Sequence, residues 1–350
     1  MSHKEDEMAF LASQLEDLGE GGGPQWGEDP QGWVDETAQA LELMSATEHE
    51  LAALFESVSD GEPIQPAKLD LTVNRMSESL AADPNALLGL SMLRQYDQEG
   101  FDHSINVSIY LMTLGRALGL DDESINGLGL AGLLHDIGKA KLPQSLIQKR
   151  MPLTPEERQV IDSHVSHTIK MLQDMDHLHP AALRVAMEHH ERLDGSGYPR
   201  GLKEGQISLE GRMGAVCDCF DAMTSNRSYR KKLEGKTVLK DLMERARSLQ
   251  LDGKVVESFV RAVGIYPLGT IVRLADTRVG VVIRSNASSL LHPTLRIVAK
   301  GGENSAVDPY LLDLARNSDA ASQRIVGTES PSMTRINPTV FMPGSDLYAL

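Results

Sequence analysis

From about Glu36 the apolar positions fall at helical spacing, with Leu41, Met44, Leu51, Leu54 and Phe55 returning to one face. Pro66, Pro84, the Gly119–Asp122 segment, Pro143, Pro155 and Pro180 then punctuate a succession of helices. Leu153-Thr154-Pro155-Glu156-Glu157 predicts a helix start, with Thr154 as cap and Pro155 in the first position. Further helices are predicted over 208–225, 235–249 and 252–263. After Tyr266-Pro267 the period shortens to two. Thr270–Leu274, Val279–Ile283 and Thr294–Val298 are short β-branched runs between turn residues, predicting about three antiparallel strands. The fold class expected is therefore mainly α: a helical bundle with a small C-terminal antiparallel β appendage.

This pattern divides the chain into a flexible acidic tail over 1–35, carrying a short helix at Met8–Leu18, and a helical region over 36–95. A larger helical domain follows over 96–265, then the β appendage over 266–312 and a disordered tail over 313–350, rich in Ser, Thr, Asn and Pro. The chain has 350 residues, 41% hydrophobic and 24% charged, enough for a substantial core. Aromatic residues supply only 4%, so Leu, Ala, Val, Ile and Met must fill it, which favours helices. Cys217 and Cys219 flank a single residue and cannot form a disulfide framework, which points to a reducing compartment. No basic, apolar leader opens the sequence, and no run of about 18 uncharged apolar residues occurs, so a cytoplasmic protein without a membrane span is expected.

Lys and Arg total 34 against 50 Asp and Glu, a formal charge of −16 that disfavours binding to DNA, RNA or anionic membrane. A phosphorylated small molecule remains compatible if metals or a local basic cluster reverse the field. The histidines sharpen this. Of 11 in the chain, eight lie between His103 and His190.

Leu133-Leu134-His135-Asp136-Ile137-Gly138-Lys139 ends an apolar helix with an imidazole beside a carboxylate able to bridge two ions. Gly138 permits a tight turn there, and Lys139 stands ready for an anion. Glu188-His189-His190-Glu191-Arg192-Leu193-Asp194-Gly195-Ser196-Gly197-Tyr198-Pro199 pairs two histidines with a Gly-rich loop. Consecutive helical residues diverge by about 100°, so both imidazoles can meet one ion only near a helix end. The loop glycines allow positive φ and close approach of backbone.

His-Asp followed by Gly-Tyr-Pro resembles the HD-GYP phosphodiesterases, a bacterial branch of the HD metal-dependent phosphohydrolases; the resemblance covers roughly 95–250. It implies an HD-type helical bundle, with 96–265 as the catalytic domain. It also implies metal ligands at His103, His135, Asp136, His164, His189, His190 and Asp218, matched one by one to the family pattern. Glu99, one helical turn before His103, matches the glutamate that accompanies a third ion in some members; a solvated side chain is the competing reading. Two or three divalent ions are thus implied. Iron or manganese suits an imidazole and carboxylate set better than magnesium does. His167 falls where the family has an apolar residue and is left to packing or the surface; His177 and His179 are expected in solvent, and Cys217 and Cys219 in small apolar packing.

Such a centre would activate a water for in-line attack on phosphorus, with Asp136 bridging the ions and Lys139 neutralising a non-bridging oxygen. The basic run after the last ligand carries Arg227 and Arg230, which match the family's dinucleotide contacts, although Asn226 and Ser228 replace its usual Asp and Pro. Tyr198 is placed along the guanine pocket. The implied activity is hydrolysis of cyclic di-GMP to pGpG, with GMP as a further product if a second cleavage follows. Two alternatives stand beside it: a hydrolase of another cyclic dinucleotide, and a catalytically weak sensor docking on a diguanylate cyclase through the Gly-Tyr-Pro loop. The N-terminal region lacks a phosphoreceiver's acidic pocket, leaving access control or homodimer formation as its candidate roles.

Overall fold

The helix α4 (Asp102–Ala117), which carries His103 in its first turn, is buried from Ser104 to Gly115 on every side. A helix without a solvent face belongs at the centre of a bundle, and here the other elements are arranged around it. The computed structural model describes residues 30–62, 64, 66–93, 101–149, 151–175, 177–225, 233–302, 304–316 and 322–344. Three helices precede α4: α1 (Pro30–Asp60), α2 (Pro66–Ala82) and α3 (Pro84–Leu93). α5 (Asp122–Leu134) packs along α4. A 3-10 turn (Ile137–Lys141) then leads to α6 (Gln144–Ile147), α7 (Pro155–Asp162), α8 (His164–Gln173) and α9 (Pro180–Glu188). Beyond the Gly-rich loop come α10 (Leu209–Thr224), α11 (Gly235–Arg247) and α12 (Gly253–Val263).

Local chemistry sets these boundaries. Asp121 caps α5 by accepting from Ser124 N, and Thr154 and Glu157 form a reciprocal capping box on α7 with Pro155 in the first turn, as predicted. Ser208 and Asp252 cap α10 and α12. α12 puts Val255, Val256, Phe259, Val260 and Val263 into the core, where Tyr110, Phe220 and Phe259 meet edge to face with centroids 5.0–5.9 Å apart. That aromatic cluster ties α4, α10 and α12 together.

Three boundaries differ from expectation. The first helix starts at Pro30, inside the stretch read as tail, because proline suits a first helical turn and Trp33 has a place against Arg284, 4.4 Å from ring centroid to guanidinium carbon. The predicted helix at Met8–Leu18 lies outside the described residues. The β appendage has five strands rather than three, in the order β4-β3-β2-β1-β5 and all antiparallel. They are β1 (Ile271–Leu274), β2 (Arg278–Arg284), β3 (Thr294–Lys300), β4 (Ser305–Asp313) and β5 (Ile325–Glu329). The supposed disordered tail therefore contains β5, paired to β1 with Ile271 opposite Glu329, followed by α13 (Pro331–Thr334) and a 3-10 turn at Pro338–Phe341. β4 is an exposed edge strand containing Pro309, and β5 is half-buried throughout, so neither has the alternation that marked the first three.

Candidate metal centre

Five imidazoles and two carboxylates converge from α4, the α5–turn junction, α8, the end of α9 and α10. Asp136 sits at the middle. Its Oδ1 is 3.1 Å from His164 Nε2 and 4.0 Å from His189 Nε2, while Oδ2 is 3.3 Å from His135 Nε2 and 3.6 Å from His103 Nε2. Asp218 spans the same space, with Oδ1 3.2 Å from His103 Nε2 and Oδ2 3.8 Å from His190 Nδ1. Two groups of donor atoms close enough to share an ion result, Asp136 with His164, His189 and His190, and Asp136 with His103 and His135. Asp136 belongs to both.

The orientation of the rings explains why these atoms face one another. Nδ1 of His135 lies 2.8 Å from Gly132 O, that of His164 2.7 Å from Ile161 O and that of His189 2.8 Å from Val185 O. Nδ1 of His103 lies 2.7 Å from Asp221 Oδ2. Carbonyls and carboxylates only accept, so each ring donates from Nδ1 and points Nε2 inward, where it offers a lone pair once that nitrogen is unprotonated. All four Nε2 atoms, and Asp136 Oδ1, are buried without a hydrogen-bond partner. The 3.2 Å approach of His103 to Asp218 is not aligned as a hydrogen bond. Such a concentration of unpartnered buried polar atoms is costly in a protein interior and is what a cation relieves. The residues present fit divalent ions.

The electrostatics agree. Burial works against ionising Asp136 and Asp218, yet Lys139, His135 and His164 hold Asp136, and His103 and His190 hold Asp218, well below the usual carboxylate range. Burial and the neighbouring His135 push His189 down to about 3, and burial with His189 beside it holds His190 well below its ordinary range. Those rings stay neutral and able to ligate. Burial also works against the His103 cation, but the Asp218 and Asp221 carboxylates outweigh it and raise the ring to about 9. In metal-free protein a proton stands where a cation would.

Lys139 Nζ makes a close ion pair with Asp136, bringing the expected cation to the centre. Gly138 owes its place to packing rather than to a turn: a Cβ there would fall 2.2 Å from His164 O and 2.5 Å from Thr168 N. Gly138 N donates to Thr168 Oγ1 at 3.0 Å, which locks the His135-Asp136 turn against α8. His189 and His190 lie just past α9, the helix end that two adjacent ligands require. Tyr198 stacks on His190, with centroids 4.5 Å apart, and Arg158 lies 5.8 Å from its ring centroid. Burial and nearby Asp162 hold the Tyr198 phenol above its ordinary range, so it remains protonated.

The Gly-Tyr-Pro loop is held by two acids that the motif reading passed over. Glu191, 1% exposed, accepts from Arg200 N and Leu202 N, both at 2.8 Å. Glu188 accepts from Ser208 N and Oγ at 2.8 and 2.6 Å and from Arg200 at 3.2 Å. Gly195 has φ +81°, while Gly197 lies so close to Glu191 and Arg192 backbone that a Cβ would sit 2.4–2.5 Å from it. The signal was available: the motif is acid-His-His-acid, and the flanking acids are buried.

Glu99, Arg227 and Arg230 lie outside the described residues. His167 is half-buried and outside both donor groups, His177 is exposed, and His179 departs from expectation by capping α9 through Nδ1, 3.2 Å from Ala181 N. Cys217 and Cys219 are free and buried, as expected, with burial holding both thiols above their usual range. No helix among the described residues is long and apolar enough to cross a membrane.

A helical bundle that gathers imidazoles and acids around a shared aspartate in this way defines the class of metal-dependent phosphohydrolases built on a His-Asp doublet. The family model described as HD domain matches residues 76–255. A Pseudomonas aeruginosa protein named cyclic di-GMP phosphodiesterase is 37% identical over 84% of this chain and 70% of its own length. A cyclic di-GMP phosphodiesterase of Thermotoga maritima is 36% identical over 49% of this chain, and a 3'3'-cGAMP-specific phosphodiesterase of Vibrio cholerae 35% over 50%. The chain spans 47% and 41% of these two. The solved structure of an HDG"Y"P protein from Bdellovibrio bacteriovorus shares the fold, with TM-score 0.51 at 16% identity over 74% of this chain and 80% of that one. The chain belongs to the HD domain family.

Proposed function

We propose that this protein hydrolyses cyclic di-GMP, opening the ring to pGpG. The observation that carries this reading is the set of inward-facing, unpartnered Nε2 atoms around Asp136. Named relatives that act on cyclic dinucleotides support the substrate class, and the long match to the Pseudomonas protein favours the di-GMP form.

His103, His135 and Asp136 would hold one ion, and Asp136, His164, His189 and His190 a second, with Asp218 reaching towards both. What divalent ions supply in such a site is Lewis acidity and an acidified water at neutral pH. Iron or manganese suits this donor set of nitrogen and oxygen without thiolate. The chain's own residues do the rest. Lys139 sets a positive charge at the rim of Asp136, where a non-bridging phosphate oxygen gains most from it. Tyr198 covers His190 and offers a flat edge to a base. Arg227 and Arg230 extend the proposal as phosphate or guanine-edge contacts, and Glu99 as the ligand of a third ion. The chemistry leaves a 5′ phosphate and a 3′ hydroxyl, and a second cycle on pGpG would give GMP.

The test is turnover by protein loaded anaerobically with Fe(II) or Mn(II), offered cyclic di-GMP and 3'3'-cGAMP in competition. Cleavage to pGpG with preference for cyclic di-GMP is expected. Tight binding without cleavage would instead favour a sensor that docks on a diguanylate cyclase. Asp136→Ala should abolish turnover while the far-ultraviolet circular dichroism of the helical bundle is retained; residual turnover near wild type would contradict the bridging role.

A further inference from the structure

We infer that Asp221 is a positioning residue that makes the two ion sites unequal, so that the ion held by His103 depends on it and the other does not. This rests on the two-ion reading above. Three of the ligand histidines back onto a carbonyl of their own helical turn, three or four residues earlier in the chain. His103 alone among these four backs onto a carboxylate, and that carboxylate comes from a different helix, 118 residues away.

Asp221 is fully buried and fixed from three sides. Oδ2 takes His103 Nδ1 at 2.7 Å and Ser225 Oγ at 3.2 Å, and Oδ1 takes Asn106 Nδ2 at 2.9 Å. Asn106 lies on α4 one turn beyond His103, so the two residues form a fork that clamps one carboxylate of α10. An acceptor that merely oriented the ring could be a carbonyl, as it is for His135, His164 and His189. A full negative charge does more: it draws the Nδ1 proton, enriches the lone pair on Nε2 and adds an anion behind the ligand without occupying a coordination position. The group made by His103, His135 and Asp136 receives this support. The group made by Asp136, His164, His189 and His190 has none from Asp221.

Asp221→Asn separates charge from shape. The amide oxygen can still accept from His103, and the amide nitrogen, which takes the place of Oδ1, pairs with Asn106 once the Asn106 amide flips to present its Oδ1, an atom that is buried and has no partner. The measurement is Mn(II) binding to the full chain, followed by elemental analysis and by electron paramagnetic resonance, with no substrate present. Wild-type protein should take up at least two ions, two of them in a spin-coupled pair. Asp221→Asn should lose about 10- to 100-fold in affinity for one ion and keep the other unchanged. At a manganese concentration that just fills wild type, its spectrum should become the uncoupled six-line signal of one ion. Asn106→Ala, which disturbs the clamp but leaves the charge, should shift the weaker affinity much less. Two ions bound by Asp221→Asn with wild-type dissociation constants would overturn the inference, as would an equal loss in Asn106→Ala. Wild-type protein that takes up fewer than two ions would overturn the two-ion reading itself, a result separable from failure of Asp221 because it appears without any substitution.

Discussion

His103 and His189 both face Asp136 and are pushed in opposite directions, to about 9 and to about 3. The consequence for metal-free protein is a stability optimum. His103 keeps its proton in the fold up to about pH 9 but releases it near 6.5 in the unfolded chain, so stability falls as pH rises through that window. His189 resists protonation in the fold down to about pH 3, whereas the unfolded chain takes the proton near 6.5, so stability also falls as pH drops from 6.5. The depressed Asp136 and Asp218 contribute stability above the unfolded carboxylate value of 3.8, and it is lost as pH falls further, steepening the acid side. Chelator-treated protein should therefore melt highest near pH 6.5, and manganese should flatten the alkaline side by displacing the His103 proton. A melting temperature independent of pH between 4 and 9 would contradict this. At this scale the sequence was most legible where ligands adjoin, in His135-Asp136 and His189-His190. Asp221 was not legible, because its meaning depends on a histidine more than a hundred residues away and on the tautomer that contact selects.

The capped helices follow from local rules, and α7 through α12 lie close to where proline, Thr154 and the apolar spacing place them. What local rules miss are elements whose stability comes from a partner. β5 exists because β1 offers it an edge, and the Gly-Tyr-Pro loop keeps its shape because Glu191 receives two backbone N–H groups. Truncation by Glu191→Ala would take the charged acceptor away from two part-buried backbone donors, at roughly 1–3 kcal/mol each. Differential scanning calorimetry should show a melting temperature several degrees lower, and limited proteolysis should open the chain near residues 197–202. Because Tyr198 rides on that loop, the Michaelis constant for cyclic di-GMP should rise in the same variant. An unchanged melting temperature and an unchanged Michaelis constant would show that the loop holds itself.

Across the whole molecule, the helices before α4 and the β module after α12 are far apart in sequence yet meet in one buried clasp. Arg284, at the end of β2, pairs with both oxygens of Asp83 at 2.7 and 3.0 Å, and Asp83 also caps α3 through Asn85 N at 3.0 Å. Asn85 in turn accepts from Ser285 N and Oγ, and the Arg284 guanidinium lies over Trp33. Three segments thus converge on two charges, and burial with Asp83 nearby raises the neighbouring Glu36 carboxyl. The same N-terminal helix reaches the other end of the bundle, where Lys141 donates to Val58 O at 2.5 Å and Phe55 meets Phe101 two residues before His103. None of this could be read from composition, since an Asp before a proline and an Arg ending a strand are ordinary surface residues until they are buried together. Removing Asp83 takes away the carboxylate that pairs both guanidinium nitrogens of the buried Arg284: Asp83→Ala should cost about 3–5 kcal/mol in urea unfolding, while Asp83→Leu with Arg284→Met should recover much of it. Because no residue of the clasp is a donor to the proposed ion sites, the turnover number of folded Asp83→Ala protein should stay near wild type. Unchanged stability would mean that the β module is docked by its apolar face alone, and a large fall in turnover would mean that the clasp communicates with the centre through α1.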